Sequence, residues 1–173
     1  MTWHGCLWKI TVLLGGVALI GATVRPHGGI SAALTGAQGP TSVAGIPARY
    51  LADYRAAGTM CPRLDWAILA GIGAVETNHG QSPLPGVASG ANFAGAEGPM
   101  QFLTSTFASV RARHRDVGPD IYSPDAAIPA AAHLLCDNGY STNPYGAIWT
   151  YNHADWYVRE VRARAAGYRA VGT

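Results

Sequence analysis

Glu76 is the residue whose surroundings in the sequence first suggest acid–base chemistry. It lies in the stretch G-A-V-E-T-N-H-G at 73–80, after Leu69, Ile72 and Val75. This three-and-four spacing predicts an amphipathic helix with Glu76 on its apolar stripe. Apolar surroundings and the negative end of the helix both favour the protonated carboxyl, so Glu76 is a candidate general acid. The alternative is a solvated glutamate at a helix end.

Two further clusters could line a binding site. They are G-P-M-Q-F at 98–102 and Tyr-Asn-His at 151–153. Each has a simpler explanation when taken alone, because Gly-Pro can start a helix, Met and Phe can fill a core, and Tyr-Asn can end a helix.

Metal and cofactor motifs give no comparable signal. Glu76 and His79 form a single E-x-x-H, whereas di-iron bundles use two. The sequence contains no H-E-x-x-H, no G-x-S-x-G and no phosphate-binding glycine loop. We therefore predict no metal site and no cofactor.

The elements that position these clusters are predicted to be helices alone. No segment alternates with a two-residue period, and a long Gly- and Pro-rich loop is predicted over 80–98. The fold class expected is all-α, with Gly80 ending the helix that carries Glu76 and Pro129 as a weak point in the fourth helix. The predicted helices are 47–58, 64–76, 99–113, 123–136, 143–152 and 155–166.

The composition indicates one exported domain of ordinary size. The chain has 173 residues and a net charge of +2, too little to predict nucleic-acid binding. Residues 1–27 contain an uncharged apolar run at 10–24, which suits a signal peptide or an uncleaved membrane anchor. A flexible linker is predicted over 28–45 because the segment is rich in Gly, Ala, Ser and Thr. The folded domain is predicted over 46–173.

Cys61 and Cys136 are the two cysteines beyond the apolar N-terminus. In an oxidising compartment such a pair is most simply one disulfide, although two separate thiols are the alternative. A bond across a loop this long would stabilise the fold by roughly 4 kcal/mol in the chain-entropy description.

The three clusters, in this order on a helical frame, resemble the lysozyme-like superfamily of bacterial lytic transglycosylases, particularly the small exported enzymes of actinobacterial type. The resemblance covers residues 46–168. It rests on I-L-A-G-I-G-A-V-E-T-N-H-G at 68–80, A-G-A-E-G-P-M-Q-F-L at 94–103 and A-I-W-T-Y-N-H-A-D-W-Y-V at 147–158. It implies a single compact, α-dominated domain with a substrate cleft.

The resemblance assigns a role to individual residues. Glu76 matches the family's only catalytic carboxylate, and Cys61 and Cys136 match a disulfide common in the actinobacterial branch. Gln101 and Met100 match residues that line the sugar cleft. The pair Tyr151 and Asn152 matches residues that position the Glu and contact the substrate acetamido group. The implied substrate-binding residues are Thr77, Met100, Gln101, Tyr151 and Asn152.

The sequence departs from the family pattern at three positions. Thr77 stands where Ser is usual and keeps a hydroxyl, and Thr104 stands where Pro often follows Q-F-L. Glu97 stands where Met or Gln is more frequent, which places a second acid near the expected cleft.

The implied activity is cleavage of the bond between N-acetylmuramic acid and N-acetylglucosamine in peptidoglycan, leaving a 1,6-anhydro end. The implied protein is a monomer that acts on glycan strands, either secreted or anchored at the outer face of the membrane. One alternative is a hydrolytic muramidase of goose or resuscitation-factor type, and the other is a non-catalytic peptidoglycan-binding protein.

Overall fold

The computed structural model describes Val43 and residues 45–171, which form a helix-dominated domain. The helices are α1 (Ala48–Ala57), α2 (Trp66–Thr77), α3 (Thr104–Arg113), α4 (Pro124–Asp137), α5 (Pro144–Asn152) and α6 (Asp155–Val171). Two short strands, β1 (Ala96–Glu97) and β2 (Phe102–Leu103), pair antiparallel. The prediction of a mainly helical fold is confirmed, whereas the prediction that helices alone make up the domain is wrong.

The predicted N-terminal segment 1–27 and most of the linker 28–45 lie outside the described residues. Val43 is buried and forms a β-bridge with Ile46, so packing begins before the predicted domain start. Among the described residues, no helix has the length and apolar character needed to cross a membrane.

Helix α2 runs from Trp66 to Thr77, so it starts slightly later than the predicted Leu64 and ends before the predicted stop at Gly80. Asp65 caps its N-terminus by accepting hydrogen bonds from the backbone N–H groups of Ala67 and Ile68. The helix ends at Asn78, which adopts the left-handed conformation with φ of 50°. Asn tolerates this conformation better than most residues, so it can replace glycine as a helix stop. Glu76 therefore lies in the last turn of α2.

Close packing between α2 and α6 sets the frame of the domain. Gly71 of α2 makes this approach possible, because a Cβ at that position would lie 2.5 Å from the carbonyl oxygen of Val161. Leu69 and Ile72 of α2 and Val158 of α6 are completely buried in the core. This contact brings the first turns of α6 close to the last turn of α2.

The third helix begins at Thr104 rather than at Pro99. Residues 96–103 instead form a hairpin in which Ala96 pairs with Leu103 and Glu97 with Phe102. Gly98 has a φ of 74°, and a Cβ there would clash with the carbonyl oxygen of Ile121. The requirement for glycine at this turn explains why Gly98-Pro99 does not open a helix.

Two helices continue through residues that usually interrupt them. Helix α4 runs through Pro129, and its buried alanines show that tertiary packing sustains it. Helix α6 runs through Gly167 to Val171 instead of ending near Ala166. Contacts with other parts of the chain stabilise its last turns, because Tyr168 hydrogen-bonds to His79 and Arg169 forms an ion pair with Asp65.

The disulfide between Cys61 and Cys136 is present, as one of the two sequence interpretations predicted. It joins the segment between α1 and α2 to the last turn of α4, with the two Cα atoms 5.9 Å apart. That separation lies within the range typical of disulfides.

Candidate functional site

The three sequence clusters meet at the C-terminal end of α2. Thr77 Oγ1 donates a hydrogen bond of 2.7 Å to the carbonyl oxygen of Pro99. Tyr151 Oη donates one of 2.8 Å to the carbonyl oxygen of Met100. The turn of the hairpin is thus held between α2 and α5, so residues far apart in the sequence surround Glu76.

Glu76 has the surroundings of a carboxyl that exchanges its proton near neutrality. Its side chain is only partly accessible, and Tyr157 Oη donates a hydrogen bond of 2.6 Å to Oε1. Burial raises the pKa of Glu76 to about 7, against the opposing effect of the Tyr157 hydrogen bond, which favours the ionised form. A carboxyl with this pKa can donate a proton and later accept one at the same pH.

Tyr157 is a site residue that the sequence analysis did not identify. It is completely buried in the first half of α6, on the same stripe as Val158 and Val161. A buried tyrosine hydroxyl requires a hydrogen-bond partner, and Glu76 lies on the opposite, otherwise apolar stripe of α2. That pairing rule is the signal that could have identified it.

Tyr151 and Tyr157 form a stacked pair beside the carboxyl. Their ring centroids are 6.1 Å apart and their planes differ by 8°. Burial raises the pKa of both hydroxyls well above 10, and the charge of Glu76 adds to the effect. Both tyrosines therefore remain neutral hydrogen-bond donors when Glu76 ionises.

The amide of Gln101 is fully engaged inside the loop that precedes α3. Its Oε1 accepts a hydrogen bond of 2.8 Å from Asn92, and its Nε2 donates to the carbonyl oxygens of Gly98 and Gly86. The side chain thus holds the hairpin to the preceding loop. Its contact with a sugar remains a prediction.

Thr77 and Met100 lie beneath the surface of the site. Met100 is 0% exposed and Thr77 is 1% exposed. The Thr77 hydroxyl also accepts a hydrogen bond from the backbone N–H of Gly80, which fixes the chain after α2. In this conformation both side chains support the site from inside, and their substrate contacts remain predictions.

Asn152 lies partly exposed at the end of α5. It is the last residue of that helix and precedes His153, whose φ is 55°. Within the described part of the chain, its side-chain amide makes no hydrogen bond. Such an amide has free donor and acceptor groups, and it directly follows Tyr151 in the chain.

Glu97 lies in the hairpin in very different surroundings. Its carboxylate accepts hydrogen bonds of 2.7 Å from Thr104 Oγ1 and 2.8 Å from Tyr122 Oη. These two donors, with Thr104 the stronger influence, hold the pKa of Glu97 below its ordinary value. Glu97 is therefore an ionised acceptor near neutral pH and is unsuited to donating a proton.

His79 belongs to the support of the site. It is buried, and its ring nitrogens lie 3.1 Å from Tyr54 Oη and 2.8 Å from Tyr168 Oη. Burial lowers the pKa of His79 to about 4, so the ring is neutral. The ring links α1 and α6 just behind Asn78, which stabilises the end of α2.

A separate cavity of about 770 Å³ offers different chemistry. Four arginines line it, namely Arg63, Arg159, Arg162 and Arg169. The acid in its lining, Asp65, caps α2 and pairs with Arg169. The residues described above around Glu76 do not line this cavity.

No protein-family model matches the sequence, and no curated protein and no solved structure matches the chain. The functional conclusions below therefore rest on the sequence motifs and on the geometry around Glu76.

Proposed function

We propose that this protein is a peptidoglycan lytic transglycosylase with a lysozyme-like fold, in which Glu76 is the single acid and base. The observation that carries the proposal is the state of Glu76, a partly buried carboxyl with a pKa of about 7 beside a neutral tyrosine donor. The resemblance of the three motifs supplies the substrate class, and their convergence at one end of α2 supports it.

The first chemical step uses the protonated form of Glu76. Its proton passes to the glycosidic oxygen between N-acetylmuramic acid and N-acetylglucosamine, and the bond from that oxygen to the anomeric carbon breaks. The acetamido oxygen of the muramic residue stabilises the cationic anomeric carbon in place of a carboxylate nucleophile. Glu76 is left as a carboxylate, stabilised by the hydrogen bond from Tyr157.

The second step uses Glu76 as a base. The carboxylate removes the proton of the sugar's own 6-hydroxyl, and that oxygen attacks the anomeric carbon to form the 1,6-anhydro ring. The protonated Glu76 is thereby regenerated. A pKa near neutrality serves both steps, since neither protonation state is strongly disfavoured.

Some of the neighbouring polar side chains would bind the substrate, and others stabilise the structure of the site. Asn152 would contact the acetamido group through its free amide, while Tyr151 fixes the hairpin turn through Met100. Gln101 would fix the conformation of the loop through its hydrogen bond with Asn92. Its side chain is partly exposed and could also contact the sugar. None of these groups donates a proton at neutral pH.

A hydrolytic muramidase is the second candidate, and Glu97 is the observation that favours it. An ionised carboxylate in the hairpin could activate a water molecule, as the base does in inverting glycosidases. Two hydroxyl donors already occupy its oxygens, which weakens it as a base.

Export is part of the proposal. The Cys61–Cys136 disulfide supports an oxidising location, such as the cell wall or the outer face of the membrane. We therefore propose a secreted or membrane-anchored monomer whose partner is the peptidoglycan glycan strand.

The experiment is digestion of purified peptidoglycan by the full chain, followed by mass spectrometry of the released muropeptides. A transglycosylase releases anhydro products that are one water lighter than the products of a hydrolase. Glu76→Gln is the control. Products of hydrolytic mass would favour the muramidase, and unchanged wall turbidity with retained wall binding would identify a binding protein.

A further inference from the structure

Two histidines and two aspartates gather where the end of α3 meets α4, in a cluster that the proposed function does not use. His114 caps the C-terminus of α3, and Asp116 follows it by two residues. His133 and Asp137 lie one turn apart on α4, so they share a face of that helix. The sequence pattern is H-x-D followed by H-x-x-x-D.

The side chains of this cluster converge. The rings of His114 and His133 are stacked, with centroids 3.8 Å apart and planes 13° from parallel. His133 Nε2 lies 2.8 Å from Asp116 Oδ2, and His114 Nε2 lies 3.0 Å from Asp137 Oδ2. One ligand atom from each of His114, Asp116 and His133 falls within 4.8 Å of the other two.

The donor groups of the cluster suit a divalent cation. Imidazole nitrogens and carboxylate oxygens are both common ligands of such ions. Arg113 pairs with Asp137 at 3.0 Å and offsets that carboxylate. Asp116 has no arginine or lysine partner among the described residues, so its charge remains available to a cation.

We propose that His114, Asp116 and His133 bind one divalent transition metal of the zinc class, with Asp137 orienting the His114 ring. Zinc accepts imidazole nitrogens and carboxylate oxygens, and three protein ligands leave its fourth position to water. Ligand atoms around tetrahedral zinc are roughly 3.4 Å apart, given bonds of about 2.0–2.2 Å. Small side-chain rotations close the observed spacing, since all three side chains reach solvent.

The fold gives such a metal a defined consequence. His114 caps α3 and Asp116 lies in the turn that follows, whereas His133 belongs to α4. An ion shared by these elements stabilises the folded chain, because the unfolded chain does not hold the three ligands together. The cluster shares no residue with the Glu76 site, so metal binding and wall cleavage can succeed or fail independently.

The test uses the full chain without a histidine tag, stripped of metal with a chelator. Zinc is titrated against a chromophoric competitor, cobalt(II) absorption reports the ligand field, and melting temperature is recorded with and without zinc. We expect one equivalent to bind and the melting temperature to rise by about 5 °C at saturating metal. His133→Ala should abolish this rise, and Asp137→Asn should weaken binding by about 10–100-fold.

Matched variants separate ligation from general effects. Asp116→Asn removes a ligand at a largely exposed position, so it decides the case if His133→Ala fails to fold. His153→Ala removes an exposed histidine outside the cluster and should leave binding unchanged. The proposal is overturned if wild-type protein binds no stoichiometric zinc at 100 µM, or if Asp116→Asn binds as tightly as wild type.

Discussion

Glu76 and Glu97 are two glutamates associated with the same hairpin, and their surroundings shift their pKa values in opposite directions. Glu76 receives one hydroxyl donor in a mainly buried place, and burial dominates. Glu97 receives two hydroxyl donors in a partly exposed place, and the hydrogen bonds dominate. Identical side chains are thereby given different protonation states at neutral pH.

The comparison shows what makes a carboxyl useful as an acid. Neither an acidic residue type nor a place in this hairpin is sufficient, because solvent and hydroxyl donors keep Glu97 ionised. Burial raises the pKa of Glu76, and the single hydrogen bond from Tyr157 limits that rise. The pKa therefore stays near neutrality. The predictions below test this difference.

The largest expected effect is on activity. Glu76→Gln keeps the size of the side chain but removes the proton donor, so turnover of peptidoglycan should fall by at least about 10²–10⁴-fold. Release of anhydro-muropeptides, normalised to folded protein, measures the loss.

Glu97→Gln is the matched control and should keep most of the activity. A folded Glu97→Gln protein without activity would show that the second carboxylate takes part in the reaction. An active Glu76→Gln would remove the basis of the comparison.

The next effect is on stability, and it has a definite pH window. The pKa of Glu76 rises from 4.5 to about 7 on folding, so ionising it in the folded state is unfavourable. The resulting penalty is absent below about pH 4.5, grows as the pH rises to 7 and is then constant at about 3 kcal/mol. Glu76→Gln should therefore stabilise the protein above pH 7 and have little effect near pH 4. Urea denaturation at the two pH values provides the measurement.

Tyr157→Phe should separate the contribution of the hydroxyl from that of burial. Without its hydrogen bond the carboxylate loses stabilisation, and the Glu76 pKa should rise further, by about one unit. The pH–activity profile should move upward by the same amount. In Tyr151→Phe, which loses only the bond to Met100, the pKa of Glu76 should stay close to its original value.

The smallest effect is expected at Glu97. Tyr122→Phe removes one of its two donors, so the pKa of Glu97 should rise toward its ordinary value. A depressed pKa stabilises the fold above the unfolded pKa and ceases to do so as the pH falls through the folded pKa. The variant should thus lose a little stability at neutral pH and none in strong acid. Carboxyl-carbon NMR titration of Glu97 gives the pKa directly, and wall digestion should be unchanged.

Local sequence signals predicted most of the helical frame. The serine–proline pair at 123–124 and the asparagine–proline pair at 143–144 mark helix starts that the structure contains. Apolar periodicity placed Glu76 on the inner side of α2, where the structure also has it. These features depend on residues within one turn of each other, which is why sequence alone reaches them.

The parts that escaped prediction depend on contacts between distant residues. The hairpin at 96–103 follows from the close approach of Gly98 to Ile121, and α6 extends because Tyr168 and Arg169 find partners near α2. The hydrogen bond from Tyr157 to Glu76 joins residues 81 positions apart. The histidine–aspartate cluster likewise joins α4 to the residues that end and follow α3. Asp116 and His133, for example, are 17 positions apart in the sequence.

The Cys61–Cys136 bond divides the chain into a covalent ring, an N-terminal arm that carries α1 and a C-terminal tail. The ring contains Glu76 and the hairpin, whereas the tail carries α5 and α6 with both tyrosines of the site. Detachment of the tail requires no covalent bond to break. It exposes Glu76 to water and removes the Tyr157 hydroxyl that donates to it. The carboxyl then returns to the pKa of an ordinary solvated glutamate and loses its proton at neutral pH. A molecule with this tail detached would therefore lack the protonated Glu76 on which the proposed reaction depends.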